Sequence, residues 1–248
     1  MPSIDLKRLL NEPIYAMDFQ FMAGDLKDFL DSSERNIELQ YHLECQNIQR
    51  RAETEDFPEG FREHLQTNAD HRFKVSLPLR VRYGALLGLT TSVEWGIHFL
   101  VESLREPLST KPRNRNPTVH ALSELAARTR LGKDELVQDY EALVHVRNCI
   151  THAAGIVKHF KYRDELYWAV RRLVGFSIDN WHFLGEHICI QRGALNRYIE
   201  STGQLVVTIY RACDEQGLLK NDSSRPARVR HSSDAGWTDD PGGGGSVV

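Results

Sequence analysis

The sequence predicts a mainly α-helical bundle with a small β-hairpin inserted late in the chain. Three observations carry this. Long segments repeat apolar residues at helical spacing, as at Leu86, Leu89, Val93, Ile97, Leu100 and Leu104. One pair of short segments, Phe176 to Trp181 and Glu186 to Ile190, has strand character and flanks Gly185 as a candidate hairpin. Apolar content of 41% and charged content of 26% are those of an ordinary globular chain.

The elements follow in order. Over 18–53 a helical pattern runs through Phe19, Met22, Leu26, Phe29, Leu30, Ile37, Leu39, Leu43 and Ile48. Its second half is rich in Glu, Gln and Arg, which fits a solvated arm or a partner-binding face. Pro58-Glu59-Gly60 breaks the pattern, and a short helix is expected over 61–69. Phe73-Lys74-Val75-Ser76-Leu77 reads as extended, because Pro78 disfavours helical backbone just before it. Helices are then expected over 83–105, 118–129, 133–152, 163–173 and 193–214, with a basic Pro- and Asn-containing loop at 106–117. From about 219 the chain turns to Ser, Arg, Asp and Gly, too little apolar surface to offset ordering entropy. This divides the chain into an N-terminal helical region at 1–70, a main domain at 71–216 and a disordered tail at 217–248.

Charge and cysteine content narrow the chemistry. The formal net charge is −3, so any nucleic-acid site must be a local patch rather than a bulk basic field. Cys45, Cys149, Cys189 and Cys213 are scattered without paired metal spacing, which favours reduced thiols. No basic-then-apolar leader opens the sequence and no apolar run is read as reaching membrane-spanning length, so a cytoplasmic protein without a membrane partner is expected. His182 and His187 lie five apart, but no third ligand has convincing spacing, and neither a metal nor another cofactor is expected.

The most informative stretch is Arg147-Asn148-Cys149-Ile150-Thr151-His152. Arg147 is a permanent cation with a fork suited to phosphate, and His152 can exchange a proton near neutral pH. The same spacing recurs at Arg115 to His120, but that copy contains Pro117 and belongs to a loop or helix start. Arg147 instead follows Leu136, Tyr140, Leu143 and Val144 at helical spacing, and Gly155 stands ready to end the helix. Residues five apart on an ideal helix point about 140° away from each other, so Arg147 and His152 do not share a face. Either the helix distorts or two copies combine. Asn148, four before His152, shares its face. Glu94 borders an apolar stripe and needs a partner, for which Arg147 is the most economical choice. Tyr140 reads as core. Two weaker basic groups remain: His145, Lys158, His159, Lys161 and Arg163 around the motif, and Lys111, Arg113 and Arg115 in the loop. Either could track a phosphate backbone, although such runs usually mark a solvated surface.

Arg147 to His152, at the end of a core helix, resembles the R-x-x-x-x-H motif of HEPN-family ribonucleases. Thr90, Thr91, Ser92 and Glu94 match that family's habit of a small or hydroxyl residue before a glutamate on a helix packed against the motif. The resemblance covers roughly residues 75–155. It implies a HEPN-like bundle and metal-independent RNA cleavage by Arg147 and His152, with Asn148 and Glu94 in support. It also implies a homodimer in which two motif helices line one cleft. Family biology adds a role as a toxin, an antiphage defence component or an RNA-processing factor, with an antitoxin or defence-system partner chain. No nucleotidyltransferase-like G-S motif is present, so a companion enzyme of that kind would be a separate chain. The competing reading is a catalytically inactive HEPN module that binds RNA, nucleotide or a protein partner. A third reading, a purely structural bundle, would leave Arg147 exposed and far from any two-fold interface.

Overall fold

A computed structural model describes residues 14–109, 116–132, 134–181 and 185–220. The basic residues Lys111, Arg113 and Arg115, His182 and the tail from 221 onward lie outside the described residues. The order is α1 (Ile14–Thr54), α2 (Phe61–Asp70), α3 (Leu77–Glu102), α4 (Pro117–Thr129), α5 (Asp134–Ala153), α6 (Arg163–Arg172), β1 (Phe176–Trp181), β2 (Gly185–Ile190) and α7 (Ala194–Glu215). The mainly helical class and the hairpin are as the sequence predicts.

α3 is the central element. Its buried stripe, including Ala85, Leu86, Leu89, Val93, Ile97 and Leu100, meets α1, α4, α5 and α7. α1 crosses it closely at a glycine: a Cβ on Gly96 would lie 3.2 Å from the Phe19 ring, so only hydrogen fits comfortably. Tyr210 of α7 donates its hydroxyl to the Gly96 carbonyl at 2.7 Å. By composition, the helical run Phe61–Glu102 holds a window long and apolar enough to cross a membrane, contrary to the sequence expectation. Its apolar residues at the stripe above are turned onto the other helices.

Two further expectations are corrected. Phe73 to Leu77 is not extended. His71–Ser76 forms a π-helical turn joining α2 to α3, with the Leu77 N–H donating to the Arg72 carbonyl. A proline at 78 would drive its ring into the carbonyl four residues back in an α-helix. The wider turn just upstream makes room for it, and burial of Pro78 and Leu79 outweighs the local preference for extended backbone. For the same reason the next helix begins at Leu77, earlier than the expected 83. α1 contributes Phe19 and Leu30 to the same core cluster as α3 and α7.

α4 starts where the second R-x-x-x-x-H spacing falls. Asn116 is its N-cap, accepting from the Thr118 and Val119 N–H groups at 2.8 and 3.3 Å, and Pro117 occupies the first turn. His120 is drawn to Glu124 at 3.5 Å.

The hairpin pairs β1 and β2 antiparallel, with Phe176 opposite Ile190 and Ile178 opposite Ile188. Phe176, Ile188 and Ile190 face the core. Its contact with the end of α5 is what matters for the candidate site.

Candidate functional site

α5 is a core helix along most of its length. Val137, Tyr140, Ala142, Leu143, Val144, Val146, Cys149 and Ile150 are all buried. The motif's polar side chains sit on the part of the helix that reaches the surface. Arg147 and Asn148 are half-buried, while Thr151 and His152 are exposed.

Arg147 points across to α3. Its Nη2 donates to Glu94 Oε1, joining the residues chosen as partners from sequence alone. The pair is partly screened, the Arg147 side chain being 19% exposed and that of Glu94 33%. Arg147 Nε is buried without a hydrogen-bond partner among the described residues. The guanidinium is thus anchored on one edge and keeps donor capacity on another.

Behind the pair sits Tyr140, fully buried, its hydroxyl directed at the Thr90 carbonyl at a long 3.4 Å. Burial pushes the Tyr140 hydroxyl pKa well up; the Glu94 charge pushes the same way and Arg147 opposes it. Tyr140 is therefore a neutral floor under the ion pair. Thr90 and Ser92 turn their hydroxyls back onto their own helix, to Leu86 at 3.0 Å and Gly88 at 2.9 Å respectively. Thr91 is exposed.

The end of α5 is fixed by its exit. Ala154 and Gly155 both adopt left-handed backbone, at φ 52° and 81°, and the Gly155 N–H returns to the Cys149 carbonyl at 3.2 Å. Gly155 is required twice over, since a Cβ there would meet Tyr83 Oη at 2.5 Å. Its carbonyl accepts from the Ile188 N–H at 3.0 Å, Ile156 bridges to His187, and Tyr83 donates to the Ile188 carbonyl at 2.5 Å. The hairpin is thus clamped to the turn that follows His152. His187 is buried and stacks on Tyr83 at 6.1 Å. Burial, and secondarily Arg80, holds its pKa below the usual histidine value.

The structure does not bring Arg147 and His152 together on one face. Arg147 leans onto α3, while His152 stands in solvent without a hydrogen bond among the described residues. Nor does a hydrogen bond join Asn148 to His152 there. Two grooves lie elsewhere. One is lined by Phe29, Ser33, Ile37, Val81 and Gly84, the other by Glu34, Tyr41, Lys74, Arg82 and Arg192.

The basic fringe is smaller than its sequence implies. His145 packs edge-on against Trp168 at 6.1 Å, and burial lowers its pKa against the pull of Glu141 and Glu165. Arg163 donates to the Lys158 and Phe160 carbonyls at 2.9 and 3.3 Å. Lys158, His159 and Lys161 remain exposed. No metal-ligating cluster of three groups occurs among the described residues.

Two features escaped the sequence reading. Arg82 pairs with Glu34 at 2.6 Å and donates to the Ile190 carbonyl at 2.8 Å, tying α1, α3 and β2 together. Glu34 also draws Arg192, at 3.3 Å. These partners are far apart in sequence and carry no local signal. The second is an exposed aromatic group on α3, Trp95, His98 and Phe99. Its signal was available: Trp95 and Phe99 are four apart, off the buried stripe, immediately after Glu94.

No protein-family model, curated protein or solved structure matches the chain. Any function assigned to the site therefore rests on its residues and their arrangement.

Proposed function

We propose that the protein is a metal-independent endoribonuclease of the HEPN type, with Arg147 and His152 as its reactive residues. The observation that carries this reading is the Arg147–Glu94 pair at the end of a buried helix whose next turn presents an exposed histidine. Glu94 holds one Nη of the guanidinium, and the Arg147 side chain stays 19% exposed beside it.

The chemistry follows from these groups. One imidazole removes the proton from an RNA 2′-hydroxyl, and that oxygen attacks the adjacent phosphorus. Arg147 holds the non-bridging phosphate oxygens and offsets the charge that grows there. The bond from phosphorus to the 5′-oxygen breaks, a second imidazole protonates the leaving oxygen, and the products are a 2′,3′-cyclic phosphate and a 5′-hydroxyl. Glu94 keeps the guanidinium in place. Asn148, on the same side as His152, contacts the RNA.

Because Arg147 and His152 diverge within one chain, the working site is composite. Two copies meet through the faces bearing 140–152, and each supplies a histidine to a shared cleft. Such an enzyme would need restraint in the cell, by an antitoxin or a defence-system partner, and would act on cytoplasmic RNA.

The alternative is a catalytically inactive module that binds RNA, nucleotide or protein through the same end of α5. The exposed His152, making no carbonyl contact among the described residues, favours the enzyme. Controlled expression in a bacterial host separates the two. An active nuclease slows growth, and His152→Ala relieves it; a silent module leaves growth unchanged in both forms.

A further inference from the structure

The aromatic group beside Glu94 has no role in the chemistry above. Trp95 is 56% exposed and Phe99 is 43% exposed. Their rings lie 5.5 Å apart and are inclined at 34°. His98 stands edge-on to Trp95 at 6.4 Å and pairs with Glu102 at 3.2 Å. Exposing a tryptophan to this extent forgoes the burial that stabilises most large aromatic side chains, so its place on the surface calls for an explanation.

Position supplies one. Trp95 directly follows the residue that anchors Arg147, about 100° round α3 from it, and His98, one helical turn beyond Glu94, lies between the two directions. A strand whose phosphate sits at Arg147 and that continues round α3 past His98 reaches the Trp95 ring. Unpaired bases stack on exposed aromatic rings whatever their sequence, because every base has a π-face.

We propose that Trp95, flanked by His98 and Phe99, is a base-stacking platform for single-stranded RNA, receiving a base next to the phosphate held at Arg147. The inference rests on the reading of Arg147 as a phosphate ligand and deepens it by naming the substrate class: unpaired RNA rather than duplex. Size and neighbours argue against a second copy of the chain as the occupant. The exposed parts of two rings amount to roughly 200 Å², well below the roughly 800 Å² per partner of a stable interface. They are also set among the polar residues Thr91, Glu94, His98 and Glu102. A base needs only such a small ring surface with polar edges.

The test uses the whole protein and a 2′-O-methyl oligo(A) of roughly 12 nucleotides, which stacks but cannot be cut through its 2′-position. Tryptophan emission should be quenched by the single strand and not by the same sequence in a duplex. The quench should vanish in Trp95→Phe, which removes this indole and leaves the others. Binding should weaken about five- to a hundredfold in Trp95→Ala and stay near wild type in Trp95→Phe, which keeps a stacking ring. On cleavable RNA, Trp95→Ala should raise KM with little change in kcat. Quenching at Trp95 without any RNA cleavage would leave the platform standing and remove the nuclease. Cleavage with full affinity in Trp95→Ala would overturn the platform and leave the nuclease. Conversion of a dimer to a monomer by Trp95→Ala would also overturn it, by showing that a second copy covers the ring.

Discussion

Glu94→Gln tests the anchoring of Arg147. The substitution keeps the shape and removes the charge, so the guanidinium loses its one observed acceptor and retains its buried Nε. Breaking a fully buried pair costs about 3–5 kcal/mol, whereas an exposed pair contributes about 0–1 kcal/mol. With the two side chains 19% and 33% exposed, this pair lies between those limits. A loss of about 1–2 kcal/mol follows. For a chain of this size that lowers Tm by roughly 3–6 °C. The assay is a double-mutant cycle in thermal or urea unfolding: Glu94→Gln, Arg147→Gln and both together. The double variant should recover part of the summed loss, leaving a coupling of about 1 kcal/mol or more. Strict additivity would refute the anchoring argument, whatever happened to activity. On RNA, Glu94→Gln should retain reduced activity, because Arg147 is still present but less well placed.

Three other outcomes follow. Gly155→Ala combines left-handed strain of about 1–2 kcal/mol with a clash against Tyr83 of about 1–3 kcal/mol, so urea unfolding should show a loss of about 2–5 kcal/mol; near-neutral behaviour would show that the hairpin does not clamp the end of α5. His187 has a folded pKa held below its ordinary 6.5, so the unfolded chain binds its proton first: its contribution is complete above that pH and declines as pH falls below it. Tm should therefore drop between about pH 7.5 and about pH 5.5, and His187→Phe should flatten part of that slope; an unchanged slope would contradict the assignment. Light scattering at tens of micromolar should show a dimer, and Asn148→Glu, which introduces a negative charge on that face, should weaken it; a wild-type monomer would remove the composite cleft.

Much of the architecture was legible because the core helices repeat their apolar residues cleanly. α5 and α7 were bounded to within a residue or so, and the two strands fell on the expected segments, with Gly185 opening β2 opposite Trp181. Local signals failed where tertiary packing overrode them. Pro78 argued for extended backbone, but a π-helical turn absorbs it and packing holds the helix together. The Glu94–Arg147 pair was readable because a carboxylate beside an apolar stripe demands a cation and Arg147 was the economical one. Arg82 with Glu34 could not be read in the same way, since α1 carries many carboxylates and nothing local selects one. His145 looked like part of a basic surface because its neighbour Trp168 lies on another helix. Trp95 carried a local signal of its own, four residues before Phe99 and opposite the buried stripe of α3.

The central claim is that Arg147 and His152 cut RNA without a metal. It is tested most directly by incubating purified protein with a defined single-stranded RNA in EDTA and reading the new ends by mass spectrometry, with His152→Ala and Arg147→Lys beside it. The account predicts 2′,3′-cyclic phosphate and 5′-hydroxyl ends from the wild-type protein and none from a DNA strand of the same sequence. Product should be nearly absent with either variant, both remaining folded, since Lys keeps the charge but loses the fork. Cleavage that requires magnesium, or that continues at the full rate in His152→Ala, would contradict it.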